Sequence, residues 1–230
     1  MSTEGAALGG ARGFGARVQA AVAGAVGRPL FWLAFVVIIM GFMVVRTMTL
    51  PLPPPLPILA TVPEFSLTDQ SGKPFGSGDL IGRVWVADFV FTRCPTVCPL
   101  LTDKMAALQH RARNLGDAFR LVSFSVDPAY DTPAVLAAYA SAHKASPRMW
   151  EFLTGTPEAV KKTVVEGMKV AMGRDSTGPA DPAEFGTIFH GTHFVLVDQV
   201  LRIRGYYDSS DPEAIETLVR DIGMVANRGE

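Results

Sequence analysis

From Leu30 to Val45 the chain reads LFWLAFVVIIMGFMVV without a single charge, and past Arg46 it continues with TMTL. About 20 apolar residues in a helix cross a bilayer core of roughly 30 Å, and the stretch from Leu30 to Leu50 reaches that length if Arg46 snorkels to the interface. Residues 29–50 are therefore read as one transmembrane helix. A cleaved signal peptide has a shorter apolar region followed by small residues. Here Met, Thr and Leu lead directly into prolines, so the helix is expected to stay as an anchor. Arg12, Arg17 and Arg28 precede it against the single acid Glu4. By the positive-inside rule the tail of residues 1–28 stays in the cytoplasm and the rest of the chain lies outside.

Beyond the anchor, PLPPPLP at 51–57 favours extended polyproline II, so residues 51–62 are expected to be a semi-rigid spacer. The remaining domain, 63–230, alternates short β-type runs with longer helical ones. The runs RVWVADFVF (83–91) and RLVSFSV (120–126) are expected to be buried strands, and a short strand is expected at 151–153. Helices are expected over 102–115, over 133–143 with Thr132 as N-cap, and from Pro157 to about Met172. A Gly and Pro-rich loop at 173–186 precedes a hairpin of 192–197 with 201–207, and a last helix opens at Pro212. Strands interleaved with helices imply an α/β domain with a mixed sheet, thioredoxin-like in arrangement. After the anchor the chain holds 17 basic and 21 acidic residues. This mild acidity gives no support to nucleic-acid binding.

The two cysteines of the chain, Cys94 and Cys98, stand in FTRCPTVCP at the junction of a strand with the following helix. Open α/β sheets bind ligands beyond the carboxyl ends of their strands, and a helix N-terminus favours thiolate. A dithiol switch commonly has two intervening residues. Three intervening residues put both sulfurs on one side of a helical turn, with room for an ion. A disulfide here would close a five-residue loop and staple almost nothing. Redox and metal chemistry both remain open at this point.

A two-thiolate metal site needs a further ligand. His110 and His143 lie in polar helical stretches and read as surface residues, whereas His190 and His193 flank the start of HFVLVD after the long loop. Either of the latter two can be the third ligand, with His190 in the loop freer to reach the cysteines. Soft thiolates with an imidazole suit copper, above all Cu(I), and zinc also accepts them. Asp127, in SVDPAYDTP at the end of the next strand, is either a turn-former or a residue that orients an imidazole or tunes the thiols. Asp131 reads as a turn or helix-start residue, and Met168 and Met172 as core.

FVFTRCPTVCP, SVDPAYDTP and HGTHFVLVD, in this order behind one N-terminal anchor, together resemble the Sco/SenC family of copper proteins for cytochrome c oxidase assembly. The resemblance implies a thioredoxin-like fold that binds Cu(I) or Cu(II) through Cys94, Cys98 and His190, the histidine eight residues before Asp198. It maps the family's SVDP aspartate onto Asp127. His193 stands where the family is commonly apolar, and is the less favoured alternative ligand. The function it implies is copper delivery to the CuA site of oxidase subunit II. The rival is a thiol-disulfide reductase acting on that subunit's cysteines, with Cys94 and Cys98 as redox thiols. Copper chaperones or thiol-disulfide reductases would be further partners. The expected location is a bacterial inner membrane with the domain in the periplasm, the alternative being the mitochondrial inner membrane facing the intermembrane space.

Overall fold

A computed structural model describes residues 27–49, 54–94, 97–170, 173–174, 188–189 and 192–228. The chain divides into two compact units, Met1–Pro54 and Pro55–Glu230. In the first, helix α1 (Pro29–Thr49) has 21 residues, about 32 Å at 1.5 Å per residue. It is long and apolar enough to cross a membrane. Its apolar side chains are exposed all round. The hydroxyls of Thr47 and Thr49 donate to the carbonyls of Met43 and Val45 at 2.7 and 2.9 Å, so neither donor would be left bare in lipid.

The second unit is organised by strand β4 (Val84–Val90), whose seven residues are all buried. An apolar run covered on both faces belongs in the middle of a sheet. It pairs in parallel with β5 (Phe119–Ser125), which pairs in parallel with β6 (Trp150–Thr154). On its other side β9 (His193–Val197) runs antiparallel and forms a hairpin with β10 (Arg202–Asp208). Strand β1 (Ala60–Thr61) closes that edge, while β2 (Ser66–Asp69) and β3 (Pro74–Gly76) close the other, giving the order β1-β10-β9-β4-β5-β6-β2-β3. The β2–β3 turn needs Gly72 at φ 81°, where a side chain would be strained. The expected mixed α/β sheet is what forms.

Parallel neighbours require a crossover, and α2 (Val97–Ala112) supplies it between β4 and β5. Its Leu101, Met105 and Leu108 pack with Leu218, Ile222 and Val225 of α5 (Pro212–Arg228) on one sheet face. The opposite face gathers Trp85, Phe89, Phe124, Val164 and Met168, and at its margin Cys94 and Cys98. Each such large side chain contributes about 1.5–3 kcal/mol on full burial. Helix α3 (Pro133–Ala142) is capped as expected, Thr132 Oγ1 accepting the Val135 amide at 3.4 Å.

Three expectations are corrected. The spacer does not extend to residue 62. Ile58, Leu59, Ala60, Thr61 and Val62 contain no proline, and the amides of Leu59 and Val62 donate to Ile203 and Leu201 at 2.9 and 2.8 Å, so this stretch is sheet edge. Next, the helix at Pro157 is α-helical only as α4 (Pro157–Lys161), passes into a π-helical turn at Lys162–Gly167, and ends well before Met172. Lys169 at φ 58° is left-handed and cannot continue it. A Cβ at Gly167 would lie 3.0 Å from Pro63 Cδ, so the chain turns where Pro63 packs. Finally, the crossover helix begins at Val97 rather than near Thr102, and Leu115 falls in a 3-10 turn after it. Within the loop expected at 173–186, β7 (Gly173–Arg174) pairs with β8 (Ile188–Phe189). Met172 and residues 175–187 lie outside the described residues.

Candidate metal centre

The sheet delivers the cysteines. Strand β4 ends at Val90, and the chain turns tightly so that the Cys94 amide donates to the Phe91 carbonyl at 3.1 Å. Helix α2 then starts, and in its first turn the Cys98 amide donates to Cys94 Sγ at 3.4 Å. The first amides of a helix lack partners within it, and here a sulfur takes the place of a capping oxygen. Both residues stand as thiols. Cys94 is 8% exposed and Cys98 0%, so the first forms the mouth and the second lies beneath it. Burial pushes the Cys98 thiol far above its ordinary range, with the adjoining Cys94 and Asp88 adding to the rise. Thr102 Oγ1 donates to the Cys98 carbonyl at 2.8 Å and shares a 2.8 Å bond with the Tyr139 hydroxyl.

Two carboxylates stitch this turn to the loop after β5. Asp127 Oδ2 accepts from Arg93 Nε at 3.1 Å and from Nη2, and the guanidinium lies 4.4 Å over the Tyr130 ring. Such forked, charge-assisted bonds are strong and directional. Asp131, fully buried, accepts from the Thr92 amide at 3.2 Å, from the Thr92 hydroxyl, and from Ser125 Oγ at 2.6 Å. Its carboxyl is nonetheless held above the usual range, because burial outweighs these donors. The two residues before Cys94 are thus tied down from the SVDPAYDTP loop.

Sequence reasoning put Asp127 beside the cysteines, and among the described residues its side-chain partner is Arg93. Asp131 is a buried tie and not a helix-start residue, a role that falls to Thr132. Arg93, Thr92 and Asp88 were missed. The signal for Asp88 was visible, a lone acid inside RVWVADFVF. The signal for Asp131 was fainter, a second aspartate four residues after Asp127.

His193 is exposed at the start of β9, opposite Asp208 of β10. The Asp208 carboxyl is held below its usual range, first by the Ser210 hydroxyl and amide and then by the charges of His193 and Lys104. His110 is exposed, while His143 is half-buried against the Tyr139 ring at 4.5 Å. His190 lies outside the described residues. Among the described residues no three His, Cys, Asp or Glu side chains converge on one point. Because β9 runs antiparallel to β4, the chain enters β9 at the end of the sheet where β4 leaves for the cysteines.

The SCO1/SenC family profile matches residues 57–227. A SCO1/SenC family lipoprotein from Bacillus anthracis is 37% identical, with a TM-score of 0.64 over 74% of this chain and 97% of that one. BsSco, described as a member of the Sco family of cytochrome c oxidase assembly proteins with a disulfide switch, is 27% identical at TM-score 0.64, over 76% of this chain and 98% of that one. ScoI of Bradyrhizobium japonicum, solved with copper bound, is 26% identical at TM-score 0.60, over 72% of this chain and 99% of that one.

Proposed function

This chain belongs to the SCO1/SenC family, and on that premise we propose that it is a membrane-anchored copper carrier for assembly of the CuA site of cytochrome c oxidase. Its copper ligands in this reading are Cys94, Cys98 and His190. The observation that carries it is the cysteine turn, two sulfurs one helical turn apart at the carboxyl end of the central strand, with the Cys98 amide on Cys94 Sγ. Paired thiolates completed by an imidazole are a soft donor set suited to copper. His190 is favoured over His193 because His193 starts a strand beside Asp208, and because the resemblance to the family points to the histidine eight residues before Asp198.

Copper is cargo here, and the residues of this chain hold and release it. Cys94, at the mouth, is the sulfur a partner's thiolates reach first. Cys98 beneath it keeps the ion until exchange, and Arg93, Asp127, Thr92 and Asp131 keep the turn from shifting. Helix α1 anchors the chain in a bacterial inner membrane with the tail of residues 1–28 in the cytoplasm. The domain then faces oxidase subunit II from the periplasm on the Pro-rich segment that begins at residue 51. Handover from other copper chaperones to the same two sulfurs fits this arrangement.

The test is Cu(II) titration of the reduced full-length chain in detergent. A thiolate-to-copper charge-transfer band is expected in the wild type and absent in His190→Ala, while His193→Ala retains it. An unchanged band in His190→Ala removes that residue from the site. A second reading, reduction of the cysteines of subunit II, is favoured by the closeness of the two thiols and by the disulfide switch described for BsSco. His190→Ala separates the two, since dithiol exchange does not need the imidazole.

A further inference from the structure

The β9–β10 turn lies at the end of the sheet away from the cysteines. There the turn and residues 55–58 line a groove of about 600 Å³. The wall made by residues 55–58 is fixed to the domain just beyond it, where the Leu59 amide donates to the Ile203 carbonyl at 2.9 Å and Ala60 pairs with Ile203. That wall carries prolines with Leu56 and Ile58, and the turn adds Val200. Ile58 is 56% exposed and Val200 53%, so both present apolar surface outward.

Arg202 and Arg204 line the same groove and give it charge. Arg204 is buried and donates through Nη1 to Asp198 Oδ2 at 3.0 Å. Arg202 donates to that same oxygen through Nε at 2.7 Å, and among the described residues neither of its terminal nitrogens has a hydrogen-bond partner. Its side chain is 28% exposed, so the guanidinium is held at one edge and open at the other. A planar fork of N–H donors suits the oxygens of a phosphate or carboxylate. An apolar wall beside an oriented guanidinium fits an amphiphile whose anionic group adjoins hydrocarbon.

Position in the chain says which amphiphile is at hand. Helix α1 ends at Thr49, and the groove wall begins at Pro55. Even fully extended, the five residues between them reach only about 18 Å. A bilayer crossed by α1 therefore keeps phospholipid headgroups close to this groove. The domain carries more acids than bases, so an anionic bilayer would repel it without a local cation. We propose that the groove binds an anionic phospholipid, with the terminal nitrogens of Arg202 on the phosphate and Ile58 and Val200 against the glycerol and upper acyl chain. This rests on the reading of α1 as a membrane anchor and is independent of the cysteines and of copper.

The test places the full-length chain in phosphatidylcholine bilayer discs that contain phosphatidylglycerol with a photoactivatable diazirine beside its glycerol backbone. After illumination, lipid adducts are mapped by peptide mass spectrometry. Adducts are expected on α1 and on the groove, at residues 55–58 and 198–204. Arg202→Ala should lower the groove adducts roughly tenfold, the scale of losing charge-assisted hydrogen bonds, and leave those on α1 unchanged. Val200→Glu, an exposed position on the turn, sets a carboxylate against the phosphate and should do the same, which keeps the test decisive if Arg202→Ala does not fold. Phosphatidylcholine with the same diazirine should label α1 equally and the groove several-fold less. Groove adducts that are absent, that survive both variants, or that form equally from phosphatidylcholine overturn the proposal. Their loss on adding millimolar inorganic phosphate would make this a free-anion site and overturns it too. Labelling of α1 without the groove sinks the lipid site alone, whereas an unlabelled α1 sinks the anchor reading beneath it.

Discussion

Two buried aspartates at opposite ends of one sheet are treated in opposite ways. Asp198, 0% exposed at the β9–β10 turn, accepts from the amides of Val200 and Arg202 at 3.1 and 2.9 Å, from Arg202 Nε at 2.7 Å and from Arg204 Nη1 at 3.0 Å. Asp88, just as deep, has Ser123 on one oxygen and, among the described residues, no hydrogen-bond partner on the other. At the first, a charge is matched on every side and fixes a hairpin. At the second, an oxygen is left without a donor among the described residues. The difference teaches that burial of a carboxyl does not define its role; the number of donors aimed at it does.

The contrast predicts unequal responses to substitution. The largest is for Asp198→Ala, which takes the carboxylate from two arginines and two amides. Loss of one partner of a buried ion pair costs about 3–5 kcal/mol, to be read as a drop in unfolding free energy by urea titration. A change under about 1 kcal/mol would erase the structural half of the comparison.

Next in size is a pH effect at Asp88. An acid whose folded pKa is raised holds its proton more tightly folded than unfolded. Its contribution is therefore present in full below the unfolded value of 3.8 and is lost as pH rises through about 7. The wild-type apoprotein should lose stability across that window, by on the order of 4 kcal/mol for a shift of about 3 units. In Asp88→Asn most of that slope should be gone. Asp131 and Glu151 are raised by burial too and will retain a smaller slope of the same sign. Equal slopes in the two proteins would show Asp88 to be matched after all.

The smallest effect is expected at the mouth. Arg93→Ala removes the fork on Asp127 and the contact with Tyr130, but the guanidinium is partly solvated. Screening limits the loss to about 1–2 kcal/mol. Denaturation should show it below the loss at Asp198. A larger loss would make the cysteine end as rigidly charge-matched as the hairpin end.

Much of this architecture was legible before any fold was known. Seven consecutive buried residues in β4 follow from the apolar run around Val86, and the N-cap Thr132 from a threonine before proline. The strand-to-helix setting of the cysteines was equally local. What escaped depended on distant partners. Residues 58–62 look like linker until Ile203 and Leu201 offer carbonyls, and helix α4 looks longer until Pro63 meets Gly167. Asp127 was expected at the site, but Arg93 as its partner follows only from two loops leaving adjacent parallel strands.

The sequence by itself determined the apolar helix, the alternation of strands and helices, and the placing of two thiols one turn apart. Those depend on periodicity and chain geometry within a few residues. The tertiary structure decided which thiol is mouth and which is floor, and which carboxylates are spent on ties. It also left one Asp88 oxygen without a hydrogen-bond partner among the described residues. Register and burial set donors and acceptors against each other across 30 or more residues, and no local pattern encodes that arithmetic.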